Sequence, residues 1–414
     1  MEGAPPLDPL GADYVAIAFG IERHVPGFVD AYFGPPAART AALAADSDPQ
    51  SLLDRTERLL ARIGREPMPE SRRDYLRSQT RAMAATLRRL GGEIIPYVDE
   101  VRLLFDIEPA ATPEARFDEA IRDLAALLPG EGPVGPRMIE WRKGYVVSPE
   151  TALRQIDLIA PELRRRTEAI AALPADETVE FALVENQPWS GYNWYLGGAR
   201  SRVELNTDLP IHAFRLTDLL AHEAYPGHHT EHALKERLYR LGGRGEHAIQ
   251  LINTPECVIS EGIATLAEEM VFTPDELARF RSEVVYPAAD IDGDPAREIA
   301  IAAAQRALRA VPGNAALLLH AERRDPAEVV AYLQRYALSS EAEARQRFRF
   351  IDDPLWRAYI FTYHAGYDLL GAWLEAAGEP AARRERFRTL LTEPVTPSWA
   401  AERVGESGSR AVGK

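Results

Sequence analysis

Only one cysteine, Cys257, occurs in the 414 residues, so an internal disulfide is excluded and the thiol content gives no sign of an oxidising compartment. Cys257 falls in the apolar run Cys257-Val258-Ile259 and reads as a small core side chain. Long hydrophobic runs are missing as well: no stretch approaches the ~20 apolar residues that a membrane-spanning helix needs. The opening Met1-Glu2-Gly3-Ala4-Pro5-Pro6 has neither a basic n-region nor an apolar h-region, and the cytoplasm is the expected location. Positive charge is in deficit, with 48 Lys and Arg against 63 Asp and Glu and a net charge of −15. A surface that acidic repels nucleic acid and anionic membranes, so neither is an expected partner. There is no glycine-rich phosphate loop followed by Lys-Ser or Lys-Thr, and no Gly-x-Ser-x-Gly elbow. The acidic run Asp290-Ile291-Asp292-Gly293-Asp294 lacks the glycine and glutamate positions of a calcium loop, and Asp294 before Pro295 reads instead as a helix N-cap.

What is present is ordinary globular composition, 46% hydrophobic and 27% charged, which argues against general disorder in a chain long enough to bury a sizeable core. Helical periodicity dominates. It predicts helices over 8–31, 50–64, 70–91, 113–128 and 149–172, then over 214–241, 256–272, 295–310, 325–337, 340–349 and 353–377. Arg-rich stretches such as Ser71 to Leu90 read as solvated helix faces. Two segments differ. Thr178 to Glu185 and Ser201 to Asn206 read as strands, separated by the aromatic, turn-rich stretch 188–198. The expected fold is mainly α: a multi-helix architecture around a small antiparallel sheet that precedes the histidine-rich helix. Pro129-Gly130-Glu131-Gly132-Pro133 marks a loop. It is expected to separate an N-terminal helical layer, 1–130, from a catalytic region, 131–400, with 401–414 as a flexible tail.

The chemistry concentrates in Ala221-His222-Glu223-Ala224-Tyr225-Pro226-Gly227-His228-His229. Five of the nine histidines lie between His212 and His232. His-Glu opens the zinc-hydrolase pattern H-E-x-x-H, in which two His one turn apart bind the metal and the Glu is the base. Here Pro226 stands where the second His belongs. On an undistorted helix His222 and His228 would sit roughly 120° off a shared face. Pro226 has no N–H, and its ring clashes with the carbonyl of His222, four residues earlier. Gly227 then permits an unusual backbone. A widened or broken turn at this step can bring His228 to the second-ligand place, with His229 as the alternative ligand. A third ligand follows in Ser260-Glu261-Gly262-Ile263-Ala264, because one class of zinc peptidases carries it as Glu-x-x-Ala on a downstream helix. Glu261 is that residue, and Glu268, one heptad later, is the candidate second-layer partner of a ligand His.

The string His222-Glu223-x-x-Pro226-Gly227-His228 resembles the signature of the bacterial family called domain of unknown function 885. A later Glu261-Gly262-Ile263-Ala264 segment and Tyr363-His364-Ala365-Gly366 match further family patterns, and Arg23 to Gly27 with Tyr32 to Pro35 is similar to the family's opening. The chain departs from the family at Glu231, where Gln is common, and at Ile263, where an aromatic is common. The resemblance implies a zinc-peptidase-like architecture, with the small sheet preceding the active-site helix, and a gluzincin-like metallopeptidase activity; it leaves the substrate open.

The expected function is therefore that of a zinc-dependent hydrolase with one Zn2+ held by His222, His228 and Glu261, cleaving peptide bonds of short peptides. Glu223 is expected to take the proton of a metal-acidified water and pass it to the leaving amine. Tyr363, and after it His364, are the candidates for stabilising the oxyanion. An edge strand at Val203 to Asn206 is expected to pair with an extended substrate, with 189–198 capping the cleft. Two alternatives stay open: an amidohydrolase acting on a non-peptide metabolite, and a non-catalytic metal-binding scaffold. His212, His232 and His247 have no ligand spacing, and a surface or supporting role is expected for each.

Overall fold

The computed structural model describes residues 4–187 and 189–411. Many of its helices begin in the same way, with a side chain that accepts a backbone N–H and a proline directly after it: Asp8-Pro9, Asp48-Pro49, Ser148-Pro149, Thr273-Pro274, Asp294-Pro295 and Asp325-Pro326. The cap satisfies an otherwise unpaired N–H, and proline occupies the one helical turn where its missing N–H costs nothing. The N-terminal helices are α1 (Pro9–Glu22), α2 (Pro36–Ala44), α3 (Pro49–Arg65) and α4 (Glu70–Leu90), followed by α5 (Tyr97–Phe105), α6 (Glu114–Leu127), α7 (Val134–Lys143) and α8 (Pro149–Glu168). The helix expected over 8–31 ends early. The Glu22 carboxylate accepts the N–H groups of Gly27 and Val29, Gly27 takes φ +88°, and the chain leaves as strand β1 (Val29–Tyr32).

The other strands are β2 (Val146–Val147), β3 (Thr178–Val184), β4 (Gly191–Tyr195), β5 (Arg200–Asn206), β6 (Ile211–His212) and β7 (Ile249–Leu251). β1 pairs with β7 and β2 with β6, both antiparallel. The expectation of one small antiparallel sheet is corrected in the remaining sheet, whose order is β3-β5-β4. β3 and β5 run parallel, with Phe181 opposite Val203, while β4 pairs antiparallel with β5. The aromatic stretch before β5 is itself a strand and supplies the return crossing, although Pro188 within it lies outside the described residues. β5 is thus the central strand, not an edge. The edge nearest the histidine motif is β4.

After the sheet come α9 (Ala213–Glu223), α10 (His228–Arg240), α11 (Pro255–Val271), α12 (Pro274–Phe280), α13 (Pro295–Gln305), α14 (Val311–His320), α15 (Pro326–Tyr336), α16 (Glu341–Asp352), α17 (Phe361–Glu375), α18 (Pro380–Thr392) and α19 (Pro397–Ala411). The stretch expected as a tail from 401 is helical as far as Ala411. The apolar core beneath the sheet joins Val203 and Leu205 of β5 to Leu220 of α9, Ile263 of α11 and Leu370 of α17. A second part of the core joins residues on both sides of the 129–133 loop, such as Phe105 and Leu124 with Val258 and Val329. Cys257 is buried there, its thiol directed at the Leu251 carbonyl. No helix among the described residues is long and apolar enough to cross a membrane.

Candidate metal and catalytic centre

The helix expected over 214–241 is broken in the middle of the motif. Ala224 leaves the helical region (φ −120°, ψ −81°), the Tyr225–Pro226 peptide bond is cis, and Gly227 N donates to Ala221 O at 2.9 Å. α10 then restarts at His228. A β-carbon on Gly227 would lie 1.9 Å from the His222 carbonyl oxygen and 2.5 Å from that of Ala221. The glycine is needed here for close approach of two backbones, not for a left-handed φ. The break brings the His222 and His228 rings to 4.8 Å between centroids, nearly perpendicular. Ligand-capable atoms of His222, Glu223 and His228 all lie within 4.8 Å of one another.

Glu261 approaches from α11, with Oε2 at 3.6 Å from His222 Nε2. Its other oxygen accepts from the Tyr359 hydroxyl at 2.8 Å, whereas Oε2 is buried without a hydrogen-bond partner. The placement follows from a tight crossing of α11 and α17. A β-carbon on Gly262 would meet the Gly366 carbonyl oxygen at 2.8 Å, and one on Gly366 would meet that of Val258 at 2.4 Å. The two glycines flagged in the sequence are thus a single contact, and it carries Tyr363 toward the two carboxylates. Burial, then the charges of Glu261 and Glu223, hold the Tyr363 phenol well above its ordinary value, so it is a proton donor at neutral pH.

The two imidazoles differ in their support. His228 Nδ1 lies 3.0 Å from Ser260 Oγ, whose hydroxyl donates to Glu231 Oε2 at 2.5 Å; Lys235 donates to the other oxygen of Glu231 at 2.7 Å. With the serine proton committed to a carboxylate, Ser260 Oγ accepts from His228 Nδ1–H, and the lone pair of His228 is left on Nε2. His229 is fully buried on the other side of α10. Its Nδ1 meets Ser201 Oγ at 2.8 Å and its Nε2 meets Glu177 Oε2 at 2.9 Å, so both ring nitrogens are engaged away from the centre. His228, not His229, stands beside His222.

Two further expected residues are placed elsewhere. Glu268 pairs with Arg281 at 3.1 Å and supports no imidazole of the centre; burial pushes its carboxyl up to about 7. His364 is one residue further round α17 than Tyr363. Its ring faces Gly313 of α14 and lines a cavity of about 690 Å³ with Asp106, Phe361 and Asp368, a cavity that none of His222, Glu223, His228 and Glu261 lines. The periodicity of an α-helix, ~100° per residue, puts neighbouring residues on different faces, and only one of the pair can reach the carboxylates.

Burial dominates the electrostatics of the cluster. Burial, then the charge of Glu261, pushes the Glu223 carboxyl up to about 8. Burial likewise pushes Glu261 up to about 8, against the pull of the Tyr359 hydroxyl and with the charges of Glu231 and Asp30 adding to the rise. Burial holds His222 well below its ordinary value and lowers His228 too, so both imidazoles are neutral, as metal ligation requires. Two neutral nitrogens and the Glu261 carboxyl, whose Oε2 has no hydrogen-bond partner, form a donor set suited to a divalent ion of zinc type, with Glu223 beside it. Asp30, Tyr192, Ser260, Glu231 and Tyr359 were not selected as site residues from the sequence. They belong to separate elements, and no local pattern joins them.

No family model matches the chain, and no curated protein matches it. Solved structures do. A putative lipoprotein from Colwellia psychrerythraea is similar over 90% of this chain and 70% of its own length, at 16% identity and a TM-score of 0.54. A putative lipoprotein of unknown function from Shewanella oneidensis is similar over 95% of this chain and 82% of its own length, at 14% identity and a TM-score of 0.51. At these identities the likeness is one of fold alone.

Proposed function

We propose that this chain is a metal-dependent hydrolase, a metallopeptidase that cleaves short peptides, with one zinc ion held by His222, His228 and Glu261. The observation that carries the reading is the convergence of His222, Glu223 and His228 within 4.8 Å, faced by the unpartnered Oε2 of Glu261. The resemblance of the motif to domain of unknown function 885 supports the same class. When bound, zinc would supply Lewis acidity and lower the pKa of a water toward ~7.

The remaining work falls to the chain itself. Glu223 directly follows the ligand His222, and its carboxylate is the group placed to take a proton from the water and return it to the leaving amine. The Asn193 side-chain amide donates to the Glu223 backbone carbonyl at 2.6 Å and anchors the end of α9 against β4. Tyr363, a neutral phenol beside both carboxylates, is the donor for a developing oxyanion. The edge strand beside which an extended substrate would lie is β4 rather than the central β5. Our placement of the protein in the cytoplasm is part of the same proposal; co-sedimentation of the native protein with membranes would overturn it.

The test compares metal content and turnover on a short-peptide library. Glu223→Gln is expected to retain stoichiometric zinc and lose turnover by about 10²- to 10⁴-fold, the usual contribution of a positioned base. Glu261→Ala is expected to lose zinc. Unchanged turnover in Glu223→Gln removes that residue from the mechanism, and a wild-type chain that binds no divalent metal ends the reading.

A further inference from the structure

Strand β1 carries an irregularity beside the proposed centre. Val29 is opposite Leu251 and Ala31 is opposite Gln250, so two residues of β1 advance the register where β7 advances one. Asp30 is the extra residue. A bulge of this kind releases one residue from the ladder and re-aims its side chain. Asp30 is aimed at β4, where the Tyr192 hydroxyl donates to its Oδ1. Tyr192 directly follows Gly191, at which a β-carbon would lie 3.4 Å from Glu223 Oε1. Tyr192 in turn feels the charges of Glu223 and Glu261, and the charge of Asp30 acts on Glu261, so Asp30 flanks the centre on its β4 side, where an extended peptide would lie.

Among the described residues no Lys, Arg or His forms an ion pair with Asp30, and the side chain hydrogen-bonded to it is that of Tyr192. Asp30 is half-buried, and a carboxylate partly withdrawn from water without a positive partner carries a desolvation cost. Neither metal ligation nor proton transfer uses it. A peptide presents a compact cation at one place whatever its sequence, its α-ammonium group. With the scissile carbonyl at the centre and the chain running along β4, that group is the part of the substrate able to neutralise Asp30.

We propose that Asp30, held by Tyr192, binds the free amino terminus of the substrate, so that the centre trims short peptides from the amino end. The inference rests on the metallopeptidase reading above and adds to it the substrate's end preference. Acetylation of the amino terminus removes the charge and leaves the carboxylate facing an uncharged amide. Burial already raises the Asp30 carboxyl, consistent with a site that is completed by a cation.

The experiment uses the zinc-loaded 414-residue chain with trialanine and N-acetyl-trialanine. Cleavage is followed for wild type and Asp30→Asn, and binding of both peptides is titrated by calorimetry on Glu223→Gln. The expected result is a preference for the free amine of about 10- to 100-fold, the scale of one hydrogen-bonded charge, in both cleavage and binding. In Asp30→Asn the ratio is expected to fall toward one, while zinc content stays at one ion. Equal treatment of the two peptides by wild type overturns the Asp30 proposal and leaves the hydrolase standing. Failure to cleave either peptide overturns the hydrolase reading, and calorimetry then decides on Asp30: preferential binding of the free amine supports it, while equal or absent binding sinks it. Selectivity of the unsubstituted chain is decisive alone, so a poorly folding Asp30→Asn hides nothing; Tyr192→Phe, which frees Asp30 from its anchor, is expected to weaken the preference in the same direction.

Discussion

Ser260 Oγ lies 3.0 Å from His228 Nδ1 and donates its proton to Glu231 at 2.5 Å, so the serine serves as an acceptor that fixes one tautomer of the histidine. The chain continues to Lys235, whose ammonium also lies 3.5 Å from Glu256. Ser260→Ala is expected to lower zinc affinity by about 10- to 100-fold, the range found when an outer partner of a ligand histidine is removed. Competition against a chromophoric chelator, with melting temperature as a control for folding, measures it. An unchanged affinity would mean that the serine does not orient the ring.

The two adjacent histidines should separate cleanly. His228→Ala is expected to abolish stoichiometric zinc binding with little change in melting temperature. His229→Ala is expected to keep zinc but destabilise the fold by about 3 kcal/mol or more, because it strips a hydrogen-bonded partner from buried Glu177. Metal analysis and urea unfolding on both variants check this. Zinc lost from His229→Ala at intact folding would return the ligand role to that residue.

Gly227→Ala places a methyl group 1.9 Å from the His222 carbonyl oxygen. The backbone around the break must move, at an expected cost of about 3 kcal/mol or more, and the His222–His228 approach should open with it. Loss of both stability and zinc is the expected pair of results. A variant with wild-type melting and metal content would show that the break tolerates a side chain.

Acid stability should depend on Glu177. Burial alone would raise its carboxyl, but hydrogen bonds from His229, Tyr225 and Arg164 outweigh burial and hold it at about 2, below the ordinary 4.5. A depressed folded-state value contributes stability that is fully present above about pH 5 and is lost as pH falls through 4.5 toward 2. The difference corresponds to roughly 3 kcal/mol. Urea midpoints of wild type should fall across that window, and those of Glu177→Gln, lower at pH 7, should fall less steeply. Parallel acid limbs would remove Glu177 as the cause.

Much of the local structure was readable in the sequence, and the reasons are local. Helix periods, the Asp294-Pro295 start and the burial of Cys257 depend on residues within a turn or two of one another. The clustering of His222, Glu223 and His228, and the disruption at Pro226-Gly227, also lie within one stretch of seven residues. Where the structure departs from these local rules, a distant partner decides. The strand at 200–206 pairs parallel with 178–184 only because β4 carries the chain back between them. Glu268 was assigned by its helical face, and that face meets Arg281.

The sequence by itself determined that the protein is mainly helical and that its nitrogen and carboxylate donors gather around one Pro-Gly step. Only the tertiary structure decided which donors converge. His228 was separated from His229, and Tyr363 from His364, by which neighbouring element each side chain meets. Asp30 and Ser260 were brought to the centre by a bulge in β1 and by the packing of α11 on α10. Periodicity reports that a face is buried; what it is buried against is set by side-chain packing between segments far apart in the chain.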